Sequence, residues 1–166
     1  MMLRKTPTPT RSAARRRRRR SLARPRSIKE PPLNLAYPLN AYLLVALGSG
    51  FGGAARLFVS TLVGRSVGTT FPWGTLVVNV VGCLLVGALG AMFEPSSPLH
   101  VRQDLRVLMI VGVLGGFTTF SAFSLEALLL VQRGATAAAA AYVVASVVLC
   151  LLAATASYVT VAAIFR

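Results

Sequence analysis

Four apolar segments of about twenty residues or more dominate this sequence. They run from about Asn40 to Val63, Trp73 to Phe93, Leu105 to Val131 and Ala135 to Phe165. About 20 consecutive apolar residues are enough to cross the hydrocarbon core of a bilayer as an α-helix. A soluble domain carries about 25% charged residues, whereas this chain carries 13%. The sequence therefore predicts an all-α membrane protein with four transmembrane helices.

The first 36 residues differ from the rest of the chain in charge. They hold 12 of the 18 basic residues and one acid, a net charge of +11, while the remainder carries +3. Because this segment has few large apolar side chains, we predict a disordered basic tail over residues 1–36 and a transmembrane domain over residues 37–166. The run Arg15–Arg20 permits a nucleic-acid interpretation. We favour contact with anionic membrane lipid, at roughly 1 kcal/mol per basic residue, and no nucleic-acid partner.

The short loops do not choose an orientation. The loop between segments 2 and 3 has Arg102 and Arg106, and the loops on the opposite side have Arg65 and Arg133. Such a balance permits insertion both ways up. The positive charge of the tail favours one orientation and predicts a cytoplasmic N-terminus.

The third segment contains features that an ordinary membrane helix lacks. As one continuous helix it would be about 40 Å long at 1.5 Å per residue, which exceeds the roughly 30 Å hydrocarbon core. Gly115-Gly116, followed by Thr118, Thr119 and Ser121, predicts a break into two half-helices near the centre. The freed backbone groups would then need protein, water or an ion as partners. The alternative is a glycine-lined packing face.

Several other side chains have both a structural and a functional interpretation. Phe120 and Phe123 share a helix face and could pack or line an anion path with their ring edges. Glu126 could act within the membrane or reach the headgroups. Polar faces are predicted on segment 2 and segment 4, either as helix-packing stripes or as donors to a passing anion. These faces comprise Thr75, Asn79 and Gly82 on segment 2, and Tyr142, Ser146 and Cys150 on segment 4.

Three motifs in this order on four helices are similar to one family. GSGFGGAARL (48–57), PWGTLVVNVVGCLLVG (72–87) and GVLGGFTTFSAFSLE (112–126) resemble the CrcB/Fluc fluoride channels over about residues 46–158. The tail lies outside the resemblance.

The resemblance implies an antiparallel dual-topology dimer that exports fluoride passively across a bacterial cell membrane. It implies a structural sodium ion bound by the backbone carbonyls of Gly115 and Thr118, whose oxygen atoms suit a hard cation. It also implies a fluoride path along a set of pore-lining residues: Thr75, Asn79, Phe120, Phe123, Glu126, Tyr142 and Ser146. Cys150 offers a weaker donor where a relative has a hydroxyl.

The charged tail leaves the dimer partner open. A net charge of +11 favours one orientation, yet a dual-topology dimer needs both. The partner is therefore either a second copy or an oppositely oriented homologue. A misplaced start site would also explain the tail.

Two other functions remain as alternatives. A small multidrug-type exporter generally needs an acid in its first segment, and segment 1 has none. A structural membrane subunit would tolerate loss of Asn79 or Phe120 without loss of ion flux. The sequence contains no Ser/His/Asp set, metal-ligand cluster or phosphate loop, so we predict that the protein is not an enzyme.

Overall fold

The structure is a computed structural model that describes residues 38–94 and 102–165. Within these residues it has four helical spans long and apolar enough to cross a membrane. They are α1 (Leu39–Val67), α2 (Trp73–Met92), a composite third span (Gln103–Gln132) and α5 (Thr136–Ile164). The four predicted segments are thus confirmed, with shifts of a few residues at their ends. The predicted disorder of residues 1–36 lies outside the described residues and stays a prediction.

Glycines and a proline mark the turns between helices, where the chain reverses. α1 stops at Gly68, whose φ of +96° suits a residue without a side chain, and its amide donates to the Gly64 carbonyl at 3.0 Å. Pro72 stands immediately before α2, where the missing amide hydrogen costs nothing. Gly134, with φ of +75°, reverses the chain before α5. These short turns set neighbouring spans side by side.

The third span changes conformation twice along its length. Its first half, α3, consists of Gln103–Arg106, a π-helical stretch Val107–Leu114 and a last α-helical turn Gly115–Phe117. Two extended residues follow, and α4 (Phe120–Gln132) completes the span. A π-helix holds more residues per turn than an α-helix and is found mostly at functional sites.

The helix is interrupted at Thr118 and Thr119, three residues later than the sequence predicted. Thr118 has φ/ψ of −77°/156° and Thr119 has −151°/123°, whereas Gly115 keeps helical values of −63°/−36°. A central interruption is therefore confirmed, and its assignment to Gly115-Gly116 was wrong. Glycine lowers helix propensity, but polar partners from another helix decide where the backbone opens.

Close packing of α1 against α3 explains four of the glycines. A Cβ on Gly48 would meet the Cα of Gly112, and a Cβ on Gly52 would meet the carbonyl oxygen of Val113. Small residues of this kind let helix backbones approach closely. A Cβ on Gly116 would lie 2.5 Å from the carbonyl oxygen of Ser49, a distance that real Cβ atoms do not adopt. The alternative of a glycine-lined packing face therefore holds for Gly116, whereas Gly115 is exposed.

α2 and α5 form the other tightly packed pair of helices. A Cβ on Gly87 would overlap the carbonyl oxygen of Ala154 and the Ser157 hydroxyl, so backbone meets backbone there. About three turns towards the N-terminal ends, Leu76 and Tyr142 lie in one buried cluster with α4. This pair carries the predicted polar faces of segments 2 and 4 along one seam.

Candidate functional site

The side-chain amide of Asn79 holds the helix break open. Its Nδ2 donates to the Thr119 carbonyl at 3.0 Å, and the Thr119 amide donates to its Oδ1 at 2.9 Å. In a continuous α-helix the Thr119 amide would donate to the carbonyl of Gly115. We call this pair of hydrogen bonds the Asn79 clamp. Because the clamp diverts the Thr119 amide, the Gly115 carbonyl loses its helical donor.

The Thr119 hydroxyl releases a second carbonyl in the same way. As the N-cap of α4, it accepts from the Ala122 amide at 3.2 Å and lies 3.2 Å from the Ser121 hydroxyl. The Ala122 amide would otherwise donate to the carbonyl of Thr118. Among residues 38–94 and 102–165, neither the Gly115 nor the Thr118 carbonyl has a hydrogen-bond donor. Two oxygen acceptors are thus left for another partner.

A cavity of about 370 Å³ adjoins the break, and we call it the central cavity. Two phenylalanines of α4 line it, with ring centroids 5.2 Å apart, as their spacing predicted. Phe123 is 8% exposed and packs on Tyr142, whereas Phe120 is 78% exposed. Other lining residues come from α2, from α3 and the break, and from α5: Asn79, Gly82, Cys83, Val86, Ile110, Leu114, Gly115, Thr118, Thr119, Ser146, Val147 and Cys150.

Ser146 places an unpaired hydroxyl at the wall of the central cavity. The residue is 5% exposed, and its Oγ has no hydrogen-bond partner within the described part of the chain. Buried polar atoms are normally paired, and an exception calls for an explanation such as water or an ion. The Ser146 hydroxyl is therefore free to donate to a species inside the cavity.

The Glu126 carboxylate accepts hydrogen bonds from two hydroxyl groups on other helices. Thr75 donates to its Oε1 at 2.8 Å, and Tyr142 donates to its Oε2 at 2.7 Å. The carboxylate therefore lies against α2 and α5. In this arrangement the hydroxyl hydrogens of Thr75 and Tyr142 are committed to the carboxylate.

A second cavity, of about 620 Å³, opens on the side of the α1–α2 loop, and we call it the loop-side cavity. Arg56 and Arg133 line it together with Glu126. Two guanidinium groups and one carboxylate give a net positive lining, which raises the local concentration of anions. Thr119 lines both cavities, so they approach each other at the helix break.

The sequence is similar to that of known proteins over most of the transmembrane region. The family described as CrcB-like protein, Camphor Resistance (CrcB), matches residues 43–158. The fluoride-specific ion channel FluC of Rhodospirillum rubrum is 45% identical over 111 residues, which is 67% of this chain and 86% of the relative. FluC 1 of Nitrobacter hamburgensis is 47% identical over 107 residues, covering 64% of this chain and 83% of the relative. FluC of Opitutus terrae is 46% identical over 115 residues, covering 69% and 87%.

The chain belongs to the CrcB/FluC family of fluoride-specific ion channels. The family resemblance read from the three motifs is thereby confirmed, and the protein is a multi-pass membrane protein and not an enzyme. The roles of individual residues stay predictions. For this CrcB/FluC chain, the structure shows only how those residues are arranged.

The residues predicted for the CrcB/FluC site fall into two neighbouring groups. One group surrounds the central cavity and consists of Asn79, Gly115, Thr118, Phe120, Phe123 and Ser146. The other is the hydroxyl–carboxylate cluster of Thr75, Glu126 and Tyr142. Thr119 links the two groups, since it bonds to Asn79 and lines both cavities.

Sequence reasoning missed three residues that line the cavities of this CrcB/FluC chain. The sequence analysis assigns no role to Arg56 and treats Arg133 only as a loop charge, yet both line the loop-side cavity. Cys83, which the sequence analysis does not single out, lines the central cavity. A signal existed for Arg56, because a basic residue inside an apolar segment is a candidate functional residue. Nothing local marks Cys83.

Proposed function

We propose that this chain forms a fluoride-selective channel through which fluoride leaves a bacterial cell down its concentration gradient. The observation that carries the proposal is identity of 45% to 47% with relatives named fluoride-specific ion channels. The region that the family matches, residues 43–158, includes the clamp, the break and the cavities described above.

The two cavities suggest the route. Anions gather in the loop-side cavity beside Arg56 and Arg133, pass Thr119 and enter the central cavity. Fluoride is small and strongly hydrated, so hydrogen-bond donors must replace its water. The free Ser146 hydroxyl is one donor. The second hydrogen of the Asn79 amide is another, since the clamp uses one of the two.

The phenylalanines suggest the basis of selectivity. The edges of their rings carry partial positive charge and favour an anion in their plane. Chloride is larger than fluoride, so a narrow path lined by Phe120 and Phe123 excludes it by size. Phe123 is fixed by packing on Tyr142, which keeps the passage narrow.

An antiparallel dimer of dual topology completes the proposal. The 78% exposure of Phe120, and the exposure of Gly115 beside it, support a second subunit at this face. The loop arginines are balanced, with Arg65 and Arg133 on one side and Arg102 and Arg106 on the other. A copy of the same chain can therefore insert in either orientation unless the tail prevents it, in which case an oppositely oriented homologue is the partner.

The residues at the break fit a structural sodium ion. The carbonyl oxygens of Gly115 and Thr118 have lost their helical donors, and hard cations take oxygen ligands. These two carbonyls would hold the ion. When bound, its positive charge lowers the cost of bringing an anion into a low-dielectric region.

Fluoride efflux from liposomes tests the proposed function. Liposomes containing the purified chain, fluoride and chloride are made permeable to potassium, and each anion is followed with its electrode. We expect fluoride release without chloride release, and a large loss of fluoride release in Phe120→Ile. Leu128→Ile, at another exposed position of α4, serves as the matched control and should conduct normally. Equal chloride release, or unchanged flux in Phe120→Ile, would contradict the proposal.

The dimer and sodium proposals need separate measurements. Functional flux from this chain expressed alone would reject the homologue partner and support a homodimer. The molecular mass of the purified protein in detergent, corrected for bound detergent, should correspond to two chains. Replacing sodium by N-methyl-D-glucamine should lower the melting temperature, and an unchanged melting temperature would argue against a bound sodium ion.

A further inference from the structure

We propose that Cys83 and Cys150 together form a binding site for a soft, two-coordinate cation such as Hg²⁺ or Cu⁺ inside the central cavity. The site would bridge α2 and α5 through the two sulfur atoms. It is separate from the break carbonyls, which suit hard cations.

The packing of α2 against α5 brings the two cysteines together. Both are partly buried, both line the central cavity, and neither is in a disulfide. One helical turn further along each helix, Gly87 lies directly against Ala154. Since this contact fixes the two backbones at close range, Cys83 and Cys150 face each other across the same seam.

The chemistry of the pair selects a particular class of metal. Thiolate sulfur is a soft ligand and prefers soft ions such as Cu⁺ over the hard ions that oxygen atoms bind. Binding of Hg²⁺ forms two Hg–S bonds and releases the two thiol protons, so no oxidant or reductant is needed. A two-coordinate ion needs no third protein ligand. One turn towards the N-terminal end of α5, Ser146 adds only an unpaired hydroxyl.

A metal at this place would obstruct the central cavity. Both sulfur atoms line the same wall as Asn79 and Ser146, so a bridging ion would occupy part of the space that an anion has to cross. We therefore expect bound Hg²⁺ to block fluoride flux, and this consequence rests on the proposed channel function.

Metal stoichiometry tests the site without reference to transport. The full chain, reduced and then freed of reductant in lipid nanodiscs, is titrated with HgCl₂ and followed by the ultraviolet absorption of mercury thiolate. We expect one Hg²⁺ per chain and two CH₃Hg⁺ per chain, because methylmercury caps one thiol at a time. The chain has two cysteines, so Cys83→Ser/Cys150→Ser is a thiol-free control that should bind neither.

The single variants decide whether the two thiols of one chain act together. Cys83→Ser and Cys150→Ser should each bind Hg²⁺ at least tenfold more weakly than the unmodified chain in competition with dimercaptosuccinate. Two Hg²⁺ per chain would overturn the proposal. Undiminished affinity in either single variant would do the same, because it would indicate bridging between subunits.

Fluoride efflux then tests the block. Each protein is compared with its own metal-free rate, since Cys150 and Cys83 line the cavity. We expect Hg²⁺ to stop efflux through the unmodified chain, dimercaptosuccinate to restore it, and both single variants to need at least tenfold more Hg²⁺. Full efflux with one Hg²⁺ bound per chain would reject the block. Absence of efflux without metal would instead count against the channel function and leave the stoichiometry as the test of the site.

Discussion

Asn79→Asp separates the clamp's mechanical role from its electrostatic one. Asp keeps the length of the side chain and still accepts from the Thr119 amide, a bond of 2.9 Å in the native structure. It loses the donor that meets the Thr119 carbonyl at 3.0 Å, and places a carboxylate oxygen against that carbonyl. The variant therefore weakens the clamp and adds a negative charge beside the central cavity.

The charge is the larger of the two effects on flux. A lost hydrogen bond between membrane helices costs about 0.6 to 2 kcal/mol. A carboxylate about 5 Å from a passing anion raises its energy by about 3 kcal/mol at an effective dielectric constant of about 20. Each 1.4 kcal/mol corresponds to about a factor of ten, so fluoride efflux should fall by about a hundredfold.

Asn79→Leu is the matched variant because it removes both clamp bonds and adds no charge. It leaves the amide and carbonyl of Thr119 unpaired, at about 1 to 3 kcal/mol for each buried group. We expect Leu to lower the melting temperature in detergent more than Asp does, and Asp to lower the initial rate of fluoride efflux more than Leu does. The reasoning is refuted if folded Asn79→Asp conducts within twofold of the unmodified chain, or if the two variants rank the other way in either measurement.

Three further substitutions test the glycine packing of α1 against α3, the unpaired Ser146 hydroxyl and the hydrogen bonds to the Glu126 carboxylate. Gly52→Ala should destabilise the fold by about 1 to 3 kcal/mol because its Cβ would overlap the backbone of α3. Gly50→Ala, with no atom within 4 Å of its Cβ, should leave the melting temperature unchanged, and equal effects would contradict this account. Ser146→Ala should slow fluoride efflux without lowering the melting temperature, since its hydroxyl has no partner to lose; a clear drop in stability would indicate that it has one. Glu126→Gln should lose one of two hydroxyl bonds and about 1 kcal/mol of stability, whereas Glu94→Gln at an exposed position should change the melting temperature less, and the reverse order in thermal unfolding would count against these hydrogen bonds.

Hydropathy and motifs predicted much of this protein without a structure. The four spans followed from segment length, since a bilayer of fixed thickness leaves few other ways to bury so many apolar residues. The family followed from three motifs in order. The composition of the third segment also predicted a central interruption, because its polar residues and glycines weaken a helix locally.

The position of the interruption was decided by contacts between helices. Gly116 looked like a helix breaker in sequence, but it remains helical because α1 packs against it. Thr119 opens because Asn79, forty residues earlier in the chain, supplies partners for both of its backbone groups. No local sequence pattern indicates which side-chain amide will hydrogen-bond to which backbone groups of another helix.

The sequence by itself determined that this chain enters a membrane four times and which family it belongs to, because burial of apolar surface depends on the order of residues along the chain. Only the tertiary structure decided that Glu126 accepts hydrogen bonds from both Thr75 and Tyr142, and that Cys83 and Cys150 line the same cavity. These pairings depend on the register between helices. Register is fixed by glycine contacts and hydrogen bonds between residues far apart in the chain, and it leaves no periodic signal within any one segment.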